Sequence, residues 1–329
     1  MILRTKNNSG IILFVVLWIM VILTLLTIGL GWQTHVELTL AKNFKGKIQS
    51  KYLALSGLNY AIDVIKKDKN NKDLHKPDIF NLQIISKQIP LETGYFQVAS
   101  FIDEESKINI NAISQNNYQI LVNLLQQLGV DQETATTVSC SVIDWIDNDN
   151  DIFNSSCGAE NSYYQDLGYN SKNQPFDSVE EMLLLRGMNK NIFQKIKNFI
   201  TIYPAHGAFL IDIDTAPEEI LKAFAESFVG AQTNTGIEDA NSLVRNIMEY
   251  RKTLTDSNAT TQERAIEANK INLNPKENTI FLMMQAQRQR SPQYFNIHVI
   301  GTDQLSQAST EITATLQRND FSVLSWHRN

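Results

Sequence analysis

One uncharged stretch, Ile11 to Trp32, constrains this chain more than any other feature, and it sits directly behind the short polar segment MILRTKNNSG. Only Thr24, Thr27, Gly29 and Gly31 interrupt its apolar character. As a helix rising ~1.5 Å per residue it matches the ~30 Å hydrocarbon layer of a membrane. Arg4 and Lys6 precede it, so the positive-inside rule sends everything after Trp32 across the bilayer. An ordinary secretory signal has an apolar core of about 7–15 residues with a small-residue cleavage site behind it. This run is longer, and no A-x-A-like site follows it. Two readings remain on these residues: an uncleaved single-pass anchor, or a leader removed in front of the run, between Gly10 and Ile11.

Translocation bounds what the rest can be. The chain has 329 residues, 43% hydrophobic and 19% charged, enough for about two packed domains. A net charge of -6 argues against a general nucleic-acid binder, which carries a basic face. Cys140 and Cys157 lie in the exported part, where an even pair favours a disulfide.

Periodicity then divides the chain. Phe44, Ile48, Tyr52, Leu55, Leu58, Ile62 and Ile65 recur at spacings of three and four. That predicts a helix continuing the anchor, its apolar stripe facing the sheet of its own domain. The polar link from Lys66 to Asp78 ends it. Gly94–Phe101 and Lys107–Asn111 are expected to be strands around the acidic turn Asp103-Glu104-Glu105. Tyr118, Leu121, Leu125 and Leu128 predict a helix stopped by Gly129, and Asp131 caps the next through Trp145. Ser178-Val-Glu-Glu181 is a capping box opening a helix that Gly187 ends, and Ile192, Ile196, Phe199 and Ile200 mark its successor. Thr215-Ala-Pro-Glu218 is a second capping box, with Pro217 in the first turn. A further helix covers Asp239–Arg251. Beyond it the period becomes two: Phe295, Ile297 and Val299, then Ile312, Ala314 and Leu316, then Phe321–Trp326. These are antiparallel strands with one wet face. Lys107-Ile-Asn-Ile-Asn111 returns as Lys270-Ile-Asn-Leu-Asn274 and loosely as Ile211-Asp-Ile-Asp214, all expected to be boundary strands. The expected fold is α+β: a leader (1–10), a transmembrane helix (11–32), an antiparallel-sheet domain (33–112 and 270–329) and an all-helical insertion (113–269).

Gly10 followed at once by Ile11-Ile12-Leu13-Phe14 resembles a type IV prepilin leader. Further along come Asp103-Glu-Glu-Ser-Lys-Ile-Asn-Ile-Asn111, Val142-Ile-Asp-Trp-Ile-Asp-Asn-Asp149, Gly158-Ala-Glu-Asn-Ser-Tyr-Tyr164, Pro175-Phe-Asp-Ser-Val-Glu-Glu181, Leu185-Arg-Gly-Met188 and Ile213-Asp-Thr-Ala-Pro217. In this order, over nearly the whole chain, they resemble the minor pseudopilin K family of type II secretion. The resemblance implies a pilin-like helix and sheet carrying a large SAM-like or helix-hairpin-helix-like insertion. It also implies cleavage by the prepilin peptidase, N-terminal methylation and a single-pass place in the inner membrane, with the body in the periplasm. The implied role is at the tip of the pseudopilus, in complex with the minor pseudopilins I and J. Most pilins and pseudopilins carry Glu at the fifth mature position, thought to neutralise the amine of a neighbouring subunit, and here that position is Val15. A carboxylate in the bilayer is costly unless paired. A chain with Val15 suits an end of an assembly better than its middle.

Site chemistry concentrates in Asp147-Asn-Asp149-Asn-Asp151. Hard oxygens at alternating positions suit calcium, which takes six to eight. Ile152 and Gly158 stand where an EF-hand needs its turn Gly and its bidentate Glu, so the loop is of another kind, closed by Glu160 or Asn161. The resemblance likewise implies calcium in the helical domain. The alternative is a solvated acidic turn. Cys140 and Cys157 flank the loop. The rival function is a membrane-tethered DNA receptor, since Ser178–Phe193 resembles a helix-hairpin-helix unit with Lys190, Lys195 and Lys197 nearby. One glycine, Gly187, and acidic surroundings argue against it, so no nucleic-acid partner is expected. No H-E-x-x-H, G-x-S-x-G, P-loop or C-x-x-C appears, and no catalytic residue is expected.

Overall fold

The computed structural model describes residues 9–70, 87–255 and 266–328; the leader up to residue 8 and the polar link over 71–86 lie outside them. Helix α1 (Ser9–Asn70) carries the apolar run into the body without a break. Every residue from Ile12 to Lys45 is exposed, and Gly46 is the first buried one. Within the run, the Thr24 and Thr27 hydroxyls donate to the Met20 and Leu23 carbonyls at 2.7 Å. Their polar atoms are thus satisfied inside the helix, as a membrane segment requires. Strands β1 (Gln88–Leu91) and β2 (Gly94–Asp103) follow as an antiparallel hairpin.

At Asp103 the chain leaves the sheet for a helical body. Its elements are β3 (Ile108–Asn109), α2 (Gln119–Gln127), α3 (Gln132–Ile146), α4 (Asn161–Tyr164), α5 (Lys190–Ile196), β4 (Ile200–Thr201), α6 (Glu218–Glu226), α7 (Ile237–Thr255) and α8 (Pro275–Ala286). Gly129, at φ +76°, ends α2 where a side chain would be strained, and the Asp131 carboxylate caps α3 by accepting from Thr134 N at 2.9 Å. The Ser178 capping box opens a 3-10 turn, Val179–Leu184, in place of an α-helix.

Several expected boundary elements take other forms. Lys107–Asn111 contributes only β3, which pairs in parallel with β4 inside the helical body. Ile200, expected on a helix, lies in β4. Thr215 does not cap α6; its hydroxyl donates instead to Asp103 Oδ2 at 3.1 Å. Lys270–Asn274 forms no strand, because Asn274 is the cap of α8 and accepts from the Lys276 and Glu277 amides. The core of the body runs from Ile108 and Ile110 to Ile280, Phe281 and Met284. Packing therefore passes from helices to sheet outside the 113 and 269 boundaries read from the sequence.

The chain returns to the sheet through β5 (Tyr294–Asp303), β6 (Ser309–Gln317) and β7 (Val323–Arg328), giving an antiparallel order β1-β2-β5-β6-β7. Val98, Val299 and Ile312 lie in register and face α1, which covers that side with Ala54, Leu58, Ala61 and Ile65. The approach is close. A Cβ on Gly301 would lie 2.2 Å from Ala54 N, and one on Gly57 2.4 Å from Val299 Cγ1. Small residues thus set the points of closest approach on α1, between the larger Leu58 and Ile65. The expected stripe is only partly core: Leu58 and Ile65 are buried, whereas Phe44, Ile48 and Tyr52 are 70%, 42% and 64% exposed.

Candidate functional site

The acidic loop is built on the last turns of α3. Asp144, fully buried there, accepts from Phe153 N at 2.8 Å through Oδ1 and from Ala159 N at 2.6 Å through Oδ2. It staples the helix to both limbs of the loop. Gly158 must be glycine for this, since a Cβ would stand 2.2 Å from Asp144 Oδ2. The Cys140–Cys157 disulfide, with 5.7 Å between Cα atoms, makes a second tie, and Arg186 Nη1 donates to Gly158 O at 2.7 Å.

Inside this frame three buried oxygens have no hydrogen-bond partner: Asp147 Oδ1, Glu160 Oε1 and Asn173 Oδ1. A buried acceptor left bare is costly, and such atoms mark places where a cation or water completes the structure. The carboxylates also raise one another. Burial, then Asp149 and Glu160, push Asp147 up to about 6. Burial foremost, with Asp147 and Asp149 adding, pushes Asp144 to about 6, and Glu160 is raised chiefly by burial, with Asp144 and Asp149 adding. A bound cation would reverse that repulsion. Among the described residues no three His, Cys, Asp or Glu side chains converge tightly enough to cage a metal alone. A hard cation here takes amide and carbonyl oxygens as well, which calcium accepts.

The five sequence candidates separate in this geometry. Asp147 and Glu160 present bare oxygens to the site. Asp149 is exposed, its Oδ1 accepts from Asp151 N at 2.8 Å, and its backbone carbonyl accepts from Asn173 Nδ2. Asp151 is exposed and enters only through that amide. The Asn161 oxygen already accepts from Ser171 N and Oγ, and its amide donates to Asn150 Oδ1 at 2.6 Å, so it braces the loop. Sequence reasoning passed over Asn173 and Asp144. Asn173 sits at φ 49°, a left-handed conformation that asparagine tolerates, far along the chain from the acidic run. No spacing rule points to it.

The hairpin that resembled a DNA-binding unit is backed by α3. A Cβ at Gly187, φ +82°, would lie 3.1 Å from Thr137 Cγ2 on α3. Lys195, though exposed, donates through Nζ to Leu128 O at 2.9 Å at the end of α2. The other surface of note is the unpartnered stripe Phe44, Ile48 and Tyr52 on α1, between the membrane run and the sheet.

Residues 106–205 match the family described as type II secretion system (T2SS), protein K. Type II secretion system protein K of Klebsiella pneumoniae is 24% identical over 70% of this chain and 77% of its own. The protein of that name from Pectobacterium carotovorum subsp. carotovorum is 24% identical over 73% and 75%, and that from Pseudomonas aeruginosa 20% over 74% and 78%. Among solved structures, a chain of the GspK-GspI-GspJ complex from the type 2 secretion system of enterotoxigenic Escherichia coli superposes with a TM-score of 0.63. That likeness covers 88% of this chain and 99% of the other at 18% identity.

Proposed function

We infer that this chain, a member of the type II secretion system protein K family, works as a minor pseudopilin that joins two other minor pseudopilins at the tip of the pseudopilus. The observation that carries the reading is α1: one unbroken helix whose apolar run is of membrane length and whose later turns become the packed spine of an antiparallel sheet. Its exposed Phe44, Ile48 and Tyr52 lie just beyond the membrane run, where the matching helix of another subunit would lie alongside. Exposed apolar side chains at that spacing favour helix-on-helix burial. The role is structural, and no catalytic step is assigned.

Four finer statements belong to the same reading. The prepilin peptidase cuts between Gly10 and Ile11, and the freed amine is the site of methylation. The body lies in the periplasm, with α1 as a single inner-membrane pass. Calcium occupies the acidic loop, held by Asp147, Glu160 and Asn173 with help from backbone carbonyls. The bare buried oxygens of those three side chains fit such an ion. When bound, it supplies charge neutralisation and a cross-link between the limbs of the loop. The partners are minor pseudopilins of the I and J kinds, named with protein K in the complex that shares this fold.

Site-specific disulfide cross-linking tests the central part. Ile48→Cys or Tyr52→Cys in the full chain should cross-link to the helices of those two partners in membranes, while a cysteine at exposed Leu183, on the helical body, should not. Equal cross-linking from both places would refute docking through α1.

A further inference from the structure

The wet face of the sheet, opposite α1, carries a group of metal-ligating side chains far from the acidic loop. His298 on β5 lies in register with Thr313 on β6, and Thr313 lies in register with His327 on β7. Directly opposed residues of an antiparallel sheet share a face. Their chain neighbours Ile297, Val299, Ile312 and Ala314 are buried beneath α1, so this row points away from it. Glu311 precedes Thr313 by two residues and shares the row's face, and its Oε2 stands 3.3 Å from His298 Nε2. The His298 and Glu311 side chains are 29% and 45% exposed, and His327 is exposed.

The spacing suits a tetrahedral metal. Two ligands bound to zinc at about 2.0–2.1 Å stand roughly 3.3–3.4 Å apart. The 3.3 Å between His298 Nε2 and Glu311 Oε2 matches that bite, and it is longer than an ordinary N–H···O bond of about 2.7–3.2 Å. His298 and His327 are separated by one strand, roughly 10 Å at the backbone. Thr313 between them is short, so both imidazoles can lean over it, and Zn–N bonds of about 2.1 Å close the gap. In the structure His327 is not drawn onto the other two, and its exposed ring has room to turn toward them.

We propose that His298, Glu311 and His327 form a three-ligand zinc site on the wet face of the sheet, which ties the edge strand β7 across β6 to β5. Three protein ligands leave the fourth zinc position to solvent. Two imidazoles and one carboxylate suit zinc and not calcium, which takes six to eight oxygens. The site is thus chemically separate from the loop of Asp147 and Glu160, which holds no histidine. β7 ends the sheet order and is bonded to β6 alone. A metal reaching β5 gives that strand a second hold.

Calorimetric titration of the full chain in detergent micelles with zinc chloride, calcium held constant, tests the site. The wild type should bind zinc. His298→Ala and His327→Ala should each weaken that binding by more than about tenfold, since a lost ligand costs at least the 10–100-fold of a lost outer-shell partner. His206→Ala, on an exposed histidine elsewhere, should leave it unchanged. Hydrogen exchange supplies a second readout: zinc should slow exchange in the 323–328 peptide of the wild type and not of His327→Ala. A wild type that binds no zinc overturns the proposal. So does a His327→Ala variant with wild-type affinity, which would leave His298 and Glu311 as a cross-strand pair and assign the zinc to other groups. Zinc that binds without slowing exchange in 323–328 overturns the tie to β7.

Discussion

Breaking the Cys140–Cys157 bond is a quantitative probe of how the acidic loop is held. The bridge closes a segment with a sequence separation of 17. In the chain-entropy account, a loop of that length restrains the unfolded chain by about 3 kcal/mol at 25 °C. For a body of this size each kcal/mol moves the melting midpoint by about 2–4 °C, so the expected loss is about 6–12 °C. Both sulfurs are buried, with Cys140 on α3 and Cys157 in the loop. Cys140→Ala with Cys157→Ala therefore removes the tie without exposing new polar atoms. Near-ultraviolet circular dichroism of the full chain in micelles reads the event locally, because Trp145 packs edge-on to Tyr164 at 5.3 Å beside the loop. Reductant added to the wild type should reproduce the shift. Equal midpoints for oxidised wild type, reduced wild type and double variant would refute the reasoning. That result would mean that Asp144, through its bonds to Phe153 and Ala159, already confines the loop without the bridge.

Other expected outcomes follow from the same geometry. Calcium at a hundredfold excess over its dissociation constant should stabilise the helical body by about 2.7 kcal/mol, seen as a raised midpoint that a chelator abolishes. Asp147→Asn and Glu160→Gln should each weaken that binding by more than about tenfold by calorimetry, since one unit charge near the ion is worth several kcal/mol at an effective dielectric of about 20. Asp151→Asn, on an exposed side chain, should change it little. Gly301→Ala should destabilise the sheet domain by about 1–3 kcal/mol in denaturant titration, because its Cβ would strike the α1 backbone at Ala54 and Ser50. Gly10→Leu should leave the leader attached, visible as an intact N-terminus by mass spectrometry.

The long apolar helix, the alternating strands β5 and β6 and the caps at Asp131 and Gly129 could be read from the sequence because each rests on a local rule. A charge-free run, a period of two and a left-handed glycine need no tertiary information. What escaped depends on the third dimension. The stripe on α1 was legible as apolar, but its direction was not. Gly57, Ala54 and Ala61 carry little hydrophobic signal, yet their small size lets the sheet approach, and the larger Phe44, Ile48 and Tyr52 are turned outward. Lys270–Asn274 repeats four of the five residues of Lys107–Asn111, but Pro275 follows it and makes Asn274 a helix cap. In the acidic loop, Asp147 and Glu160 could be found from their residue type and neighbourhood. Asn173 could not, because only the folding of the 161–173 segment over the loop brings its side-chain amide there.

Copy number tests the central claim most directly. On the proposed reading, Val15 leaves α1 without the carboxylate expected of a stacked pseudopilin, and the helical body is inserted between β2 and β5, so the chain would accept neighbours on one side only. Restoring the charge with Val15→Glu should not let the chain propagate, because the helical body still stands in the way. Pseudopili of graded length, purified and counted by quantitative mass spectrometry, decide the matter. The account predicts a number of copies per filament that stays constant as length grows. A number that rises in proportion to length would make this chain a shaft subunit and contradict the account.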